Sequence, residues 1–432
     1  MKRLLFLLLL VSQIAYGQEV TTYGGKALTY GGDVATYAYC DEYQAVYDAY
    51  TVKPSDATAA VWNTFVTKCV ATGEWAALDV LWNYAGVSDN TNGEALINWK
   101  QPAGGASLMD TGKGTFDSGT ESWVKYENNT IENDAGALKI TYVNNTSGAY
   151  CTFSAVSDLS TNLTSGKTYR IRVKAKVNVG SNVLLQHYNT VDIVSFGTVN
   201  TTDFTWYSGI FVAKSPNACV VKMSAMGAGE IIWIDEWTIQ EWTNATAYNA
   251  PTFTALEGFT GNGTTQYIDC NWNPSVNGVN YVQNSASMII YVRTNIAADG
   301  QHGIGNAADF KNIFILPKYT IDNSYIRTND ATTISGANSD GSGMFINTRT
   351  ASTVNKLYKN KVAIINATSV STGMPTHLAY CLAINDDDVA TGFRADQVSM
   401  YAFGGGMTQT QVTNLTTYYE AAMDALGKGV IP

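Results

Sequence analysis

The chain of 432 residues is too long for one hydrophobic core and suits two or three domains. Charged residues are only 14% and aromatics 12%, with 26 tyrosines, the profile of an all-β extracellular or virion protein and not of a cytosolic enzyme. A net charge of −10 excludes nucleic acid as an expected partner, because phosphate binding needs clustered Lys and Arg.

Met1-Lys2-Arg3 and the apolar run over 4–11 give a basic start and a short hydrophobic stretch, with Ala15-Tyr16-Gly17 as small residues before Gln18. Residues 1–17 are expected to be a secretory leader. The alternative is an uncleaved anchor that dips into lipid, since the run is too short to span a bilayer. Residues 18–32 carry two Tyr-Gly-Gly units and read as an extended attachment arm.

Residues 33–102 are expected to be a small helical segment. Cys40, Tyr43, Tyr47 and Tyr50 share one helical face. Pro54-Ser55-Asp56 stops that helix and caps the next, in which Trp62, Phe65/Val66 and Cys69/Val70 repeat the pattern until Gly73. Trp75, Leu78, Leu81, Trp82 and Tyr84 extend the apolar content as core.

From 103 to 245 strands recur every 8–12 residues, as in a β-sandwich. Over 167–177 the alternation is strict: Tyr169, Ile171, Val173, Ala175 and Val177 face one way, Arg170, Arg172, Lys174 and Lys176 the other. Further strands are expected over 183–188, 191–196, 204–212, 219–225 and 231–239.

Residues 246–432 open with a strand over 253–259, the breakers Gly261-Asn262-Gly263 and a second strand at 267–270. Strands follow over 287–293, 312–316, 325–327, 345–348, 361–366, 377–384 and 399–403. A closing helix is capped by Thr408 and Gln411, with Val412, Leu415, Tyr419, Ala422 and Leu426 as its buried stripe.

The six cysteines sort by region as Cys40/Cys69, Cys151/Cys219 and Cys270/Cys381. One bridge per region is the simplest of fifteen connectivities; buried free thiols are the alternative.

The phrase Leu96-Ile97-Asn98-Trp99-Lys100-Gln101-Pro102 and the run over 251–274 are similar to two neighbouring parts of the concanavalin A-like lectin domain of many phage tail and receptor-binding proteins. The resemblance covers roughly 40–102 and 246–432. Residues 108–117 with Trp123, Leu163 to Tyr169, and Trp233-Ile234-Asp235-Glu236-Trp237 resemble the start, middle and end of jelly-roll carbohydrate-binding modules attached to xylanases and laminarinases. Together they imply a mainly β protein: two jelly-roll sandwiches, the second (103–245) inserted into a loop of the first, with a small N-terminal helical segment and a C-terminal helix. By the same resemblance Asp117 and Asp235 would hold a structural Ca²⁺ with backbone carbonyls, which suits calcium's need for hard oxygens. The alternative is two solvated carboxylates at strand ends.

Chemistry is scarce. The three histidines, His187, His302 and His377, form no metal-ligand spacing, and no hydrolase motif is present. Asp235 and Glu236 are adjacent, so on a regular strand they face opposite ways. Glu230 and Glu236 share a face about 20 Å apart, far beyond the about 5–5.5 Å of retaining hydrolysis. No catalytic residue is expected. Sugar binding needs flat aromatics and planar polar groups, for which Trp206, Tyr207, His187 and Tyr188, with Gln186 and Arg172, are the candidates in the insert. The basic stripe from Arg170 to Lys176 could meet acidic glycans; a solvated outer face is the alternative. Trp272, Tyr319 and Tyr325 are weaker candidates, and Asp386-Asp387-Asp388 reads as a solvated turn.

The expected function is that of a phage or prophage spike or tail-fibre protein. It would bind host surface polysaccharide, be mounted on virion anchoring proteins, and form a homo-oligomer that the resemblance implies is often trimeric. A secreted bacterial lectin is the alternative, and a polysaccharide hydrolase comes third.

Overall fold

The structure is a computed structural model. It describes residues 39–432 apart from 103, 105–106, 110–113, 118, 122, 124, 126–127, 144–149, 155–161, 189–192, 215–219, 225–226 and 306–310. The expected leader and arm, and Cys219, lie outside the described residues.

Helix Asp41–Ala49 turns Tyr43 and Val46 inward. Helix Asp56–Thr72 starts where the Ser55 hydroxyl accepts the Thr58 N–H at 3.3 Å, and it ends at Gly73, whose φ of +91° only glycine adopts freely. The chain then departs from the expected helical segment: Leu78–Asn83 is a strand, paired antiparallel with Gln397–Gly404. Five of its six residues are buried, so apolar residues fall on both faces and the periodicity does not separate helix from strand.

An eight-stranded sheet is built around Gln397–Gly404. One side of that strand carries Ala286–Val292; the other is shared by Leu78–Asn83 and Gly258–Thr260. A six-stranded sheet of Ile334–Ala337, Asn323–Asp330, Asn312–Leu316, His302–Gly305, Ile384–Asp386 and Val389–Thr391 packs across it. On the far side, helices Asp56–Thr72 and Gln409–Ala425 cover the larger sheet. Tyr419 touches Trp62, Phe65 and the strand residue Tyr291, which explains why every residue of Ala286–Val292 is buried. The Thr408 capping box is present, as expected.

Two expected strands are broken. Leu256 at φ +59° splits the first into the hairpin Thr252–Thr254 and Gly258–Thr260; Leu382 at φ +67° splits 377–384 into Tyr380–Cys381 and Ile384–Asp386. Strands His302–Gly305 and Val354–Lys359 were not expected.

Between these halves of the chain lies a two-sheet sandwich. Its five-stranded sheet runs Thr130–Asp134, Ala137–Thr141, Ile231–Glu241, Thr168–Val177, Thr205–Val212; its four-stranded sheet runs Tyr150–Ser154, Val220–Ser224, Val183–Tyr188, Ile193–Val199. Most buried apolar side chains among the described residues fall into two clusters. One spans Tyr39 to Trp99 together with Ala245 to Met423, and the other lies wholly within Phe116 to Ile239. The protein is mainly β, with small helical pieces towards the N-terminus and at the C-terminus.

The chain crosses between the clusters twice, at neighbouring points. The Trp82 indole N–H donates to Thr243 O at 2.9 Å, and the Asn98 amide donates to Thr243 Oγ1 at 2.8 Å. The Ala245 N–H closes on Leu96 O at 2.8 Å.

Cys40, Cys69, Cys270 and Cys381 are free thiols, so two of the three expected bridges are absent. The Cys40 N–H is fixed on Asn63 Oδ1, about 9 Å along the helix axis from Cys69. Cys270 stands opposite Ala379 and Cys381 opposite Ile268, which makes the two thiols diagonal neighbours. Diagonal Cα atoms lie about 7–8 Å apart, beyond disulfide reach.

Candidate functional site

The open face of the insert's five-stranded sheet carries the richest array of sugar-compatible side chains. Along Thr168–Val177 burial alternates as expected, leaving Arg170, Arg172, Lys174 and Lys176 outward. Pairing sets them in rows: Trp233 beside Lys176, Glu236 and Trp206 flanking Lys174, Thr238 and Ser208 flanking Arg172, Gln240 and Ile210 flanking Arg170. Cations and rings interleave. The Arg172 guanidinium lies 4.2 Å from the Trp206 ring centre, Arg170 lies 3.7 Å from Trp242, and the Lys176 ammonium lies 4.5 Å from Phe204 and 5.2 Å from Trp233. Trp206 remains 40% exposed.

Arg170 reaches furthest in. Burial first, and the neighbouring Arg172 charge second, push its pKa down to about 10, so it is still charged at neutral pH. Its Nε is buried without a hydrogen-bond partner, and neither guanidinium has a carboxylate partner among the described residues. Together with Ile210 and Trp242, Arg170 lines a cleft of about 690 Å³ whose lining also includes Asp48, Thr51 and Asn92. An unpaired, desolvated guanidinium beside an indole suits a planar anion such as a sugar carboxylate.

The six residues expected to form one site divide between two sheets. Arg172 and Trp206 come together. Tyr207, next along the same strand, points into the sandwich: its ring covers Gly197, where an added Cβ would meet Cδ1 at 2.7 Å, and its hydroxyl lies 3.3 Å from Thr201 Oγ1. Gln186, His187 and Tyr188 sit on Val183–Tyr188 in the other sheet. There the Gln186 amide bonds Ser195 Oγ at 2.9 Å, and the side chains of His187 and Tyr188 lie outside the described part. Trp272 is core, stacked on Phe403 at 4.9 Å. Trp242, Phe204 and Trp233 were missed as candidates. For Trp233 and Trp242 the signal existed, since Trp242 continues the outward parity of Thr238 and Gln240.

Asp235 and Glu236 do not point apart. A β-bulge between Ile234 and Glu236 makes Asp235 an extra residue, so both carboxylates lie outward and grip Lys174 Nζ, at 2.7 and 3.1 Å. The hydrogen bonds that Lys174 donates to Asp235 first, then to Glu236, hold its pKa above the ordinary lysine range. The ammonium occupies the space between the acids that a scissile sugar would need. It also occupies the Asp235 oxygen that a calcium ion would need. Asp117 is exposed at a turn, and the neighbouring Glu121 carboxylate is taken by the backbone N–H groups of Gly114 and Phe116. Among the described residues no cluster of three or more potential metal ligands occurs, and residues 110–113 and 118, beside Asp117, lie outside them.

A Cys-His-Asp arrangement that sequence spacing did not reveal lies beneath the six-stranded sheet. Cys381 Sγ is 3.9 Å from His302 Nδ1, and His302 Nε2 is 3.1 Å from Asp396 Oδ2. All three side chains are fully buried. Burial raises the thiol pKa and lowers that of the imidazole, and Nδ1 already accepts the Leu382 N–H at 3.0 Å. The neutral tautomer therefore donates to Asp396 and cannot take a thiol proton, so the group is structural.

No family model and no curated protein matches this chain. Among solved structures, the module described as "BiXyn10A CBM1" is 17% identical, with 30% of this chain and 95% of the module covered at a TM-score of 0.25. The CBM22-1 xylan-binding domain of Paenibacillus barcinonensis Xyn10C is 13% identical, with 30% and 91% covered at 0.23. A CBM4 module is 18% identical, with 30% and 97% covered at 0.23.

Proposed function

We propose that this protein binds an anionic surface polysaccharide across the open face of the inserted sandwich. The observation that carries the reading is the Arg172–Trp206 pair continued by Arg170–Trp242: stacking surfaces with guanidinium groups that no carboxylate among the described residues neutralises. Aromatic rings serve pyranose faces, and the guanidinium groups serve carboxylate or sulfate substituents.

Within that reading the chain is a phage or prophage attachment protein of the spike or tail-fibre kind, homo-oligomeric and anchored to the particle. The resemblance of residues 40–102 and 246–432 to phage lectin-like domains supports this. A secreted polysaccharide-binding protein is the second reading; the leader-like start of the sequence suits either an envelope-associated virion or an exported protein. In both, the protein binds without catalysis, which the occupied Asp235/Glu236 pair and the buried Cys381 group support.

The test is calorimetry of the full chain with polygalacturonate. Trp206→Ala and Arg172→Ala should each weaken binding at least tenfold, about 1.4 kcal/mol; unchanged affinity in both variants removes the face. Proteomics of purified virions separates the two biological settings, since absence from particles leaves the secreted protein.

A further inference from the structure

We infer that the glycan is gripped by two parts of the chain at once: the cleft where the inserted sandwich meets the N-terminal segment is a shared subsite for one uronic acid unit. This rests on the reading of the open face as an anionic-polysaccharide site and extends it beyond the insert. The cleft has a volume of about 690 Å³, within the range of small-ligand sites. Arg170, Ile210 and Trp242 line it from the insert. Asp48 and Thr51, around the end of helix Asp41–Ala49, and Asn92 line it from the N-terminal segment. The two parts have separate hydrophobic clusters, so a ligand seated here touches both.

The insert supplies the cation. Trp242 carries the sheet one residue past strand Ile231–Glu241, its backbone N–H donating to Thr168 O at 2.9 Å, and this brings its indole to 3.7 Å from the Arg170 guanidinium. Stacking on the ring fixes the plane of the guanidinium. The Arg170 side chain makes no hydrogen bond among the described residues, and its Nε is buried. The one neighbouring charge among them that shifts its titration is the like charge of Arg172. The terminal N–H groups are therefore left for a carboxylate, whose two oxygens match the planar fork.

The N-terminal segment supplies acceptors on a fixed frame. Buried Glu94 accepts the Val52 N–H at 3.1 Å, the Asn92 N–H at 2.9 Å and the Asn92 side-chain amide at 3.0 Å. One carboxylate thus ties together the two stretches that bring Thr51 and Asn92 to the cleft. Asp48 gives its Oδ1 to the Gln44 amide at 2.8 Å. Its Oδ2, the Thr51 hydroxyl and Asn92 Oδ1 have no partner among the described residues. Such oxygens are what sugar hydroxyls donate to. A uronic acid with its carboxylate on Arg170 and its hydroxyl edge towards Asp48 satisfies both linings, which neither a bare anion nor an uncharged sugar does.

The experiment is calorimetry and hydrogen exchange of the full chain with trigalacturonate, its methyl ester and polygalacturonate. Trigalacturonate should bind, and its ester at least tenfold more weakly. Ala45 is exposed on helix Asp41–Ala49 and lines the cleft, so Ala45→Trp fills it without altering the insert. Ala45→Trp and Asp48→Ala should each weaken trigalacturonate at least tenfold, with circular dichroism and melting temperature checking that both are folded. In the parent protein trigalacturonate should slow amide exchange over 45–52 and 92–97 as well as over 168–177. If Trp206→Ala weakens polygalacturonate while both cleft variants bind like the parent and protection stays within the insert, the shared subsite is overturned and the open face stands. An ester that binds as well as the acid also overturns it. No saturable binding of either acid overturns it together with the open-face reading.

Discussion

The backbone N–H of Asn98 donates to Asn244 Oδ1 at 2.8 Å across 146 positions of sequence. The Asn98 side chain works in the same place: its Oδ1 accepts the Leu81 N–H at 3.0 Å and the Lys100 N–H at 3.1 Å, and its Nδ2 bonds Thr243. One buried amide thus ties both ends of the insert to the strand Leu78–Asn83. Asn98→Ala leaves the buried Leu81 N–H and Thr243 hydroxyl short of partners. The expected loss is about 2–3 kcal/mol, read from the midpoint of urea unfolding. A change below about 0.5 kcal/mol would show that these bonds do not hold the seam.

Ionic strength should tune binding at the Arg170/Arg172 face. Contacts between sugar carboxylates and partly exposed guanidinium groups are screened by salt, so polygalacturonate affinity should fall steadily between 50 and 500 mM NaCl.

Stability should depend on pH through Asp269, a buried carboxyl among Tyr248, Tyr267 and Tyr380. Burial pushes its pKa up to about 7 against the 3.8 of a free aspartate; the Asn271 N–H opposes the shift and the Asp388 charge adds to it. Because the folded state holds the proton more tightly, this contribution is fully present below about pH 4 and is lost as pH rises to about 7. The loss is on the order of 3–4 kcal/mol. Asp269→Asn should remove this slope, so that the variant gains on the parent protein between pH 5 and 8 in chemical denaturation.

Thiol chemistry should follow burial. Desolvation raises the pKa of Cys69, Cys270 and Cys381 above the usual thiol range. Iodoacetamide at pH 8 should leave all three unmodified in the folded protein and label them after denaturation. Peptide mapping without reductant should find no Cys40–Cys69 or Cys270–Cys381 bridge.

Calcium should not stabilise the inserted sandwich, because Lys174 already neutralises Asp235. Melting temperatures in 5 mM CaCl₂ and 5 mM EDTA are expected to agree within about 1 °C. A rise of several degrees with Ca²⁺ would mean that Lys174 yields its place.

Local signals were legible in the sequence. The alternation over 167–177, the Ser55 cap, Gly73 and the Thr408/Gln411 box each depend on residues within a turn or two of one another, and each appears as expected. The mainly β sandwich character was legible for the same reason. What escaped depends on distant partners. No periodicity could show that 78–83 would join the edge of a strand over 300 residues away, or that Val183–Tyr188 and Thr205–Val212 would enter different sheets and divide the expected sugar site. The bulge at Asp235 was equally hidden, since one extra residue reverses the parity on which the separation of Asp235 and Glu236 rested.

The paired crossings beside Asn98 and Thr243 also bear on mechanical load. If a glycan held by the inserted sandwich is pulled, tension enters the rest of the molecule along two adjacent chain segments, cross-tied by the Trp82 indole and the Asn98 amide. Force is shared between them from the start, which favours detachment of the sugar over peeling of one covalent connection. A tether of this kind is suited to gripping a surface under flow.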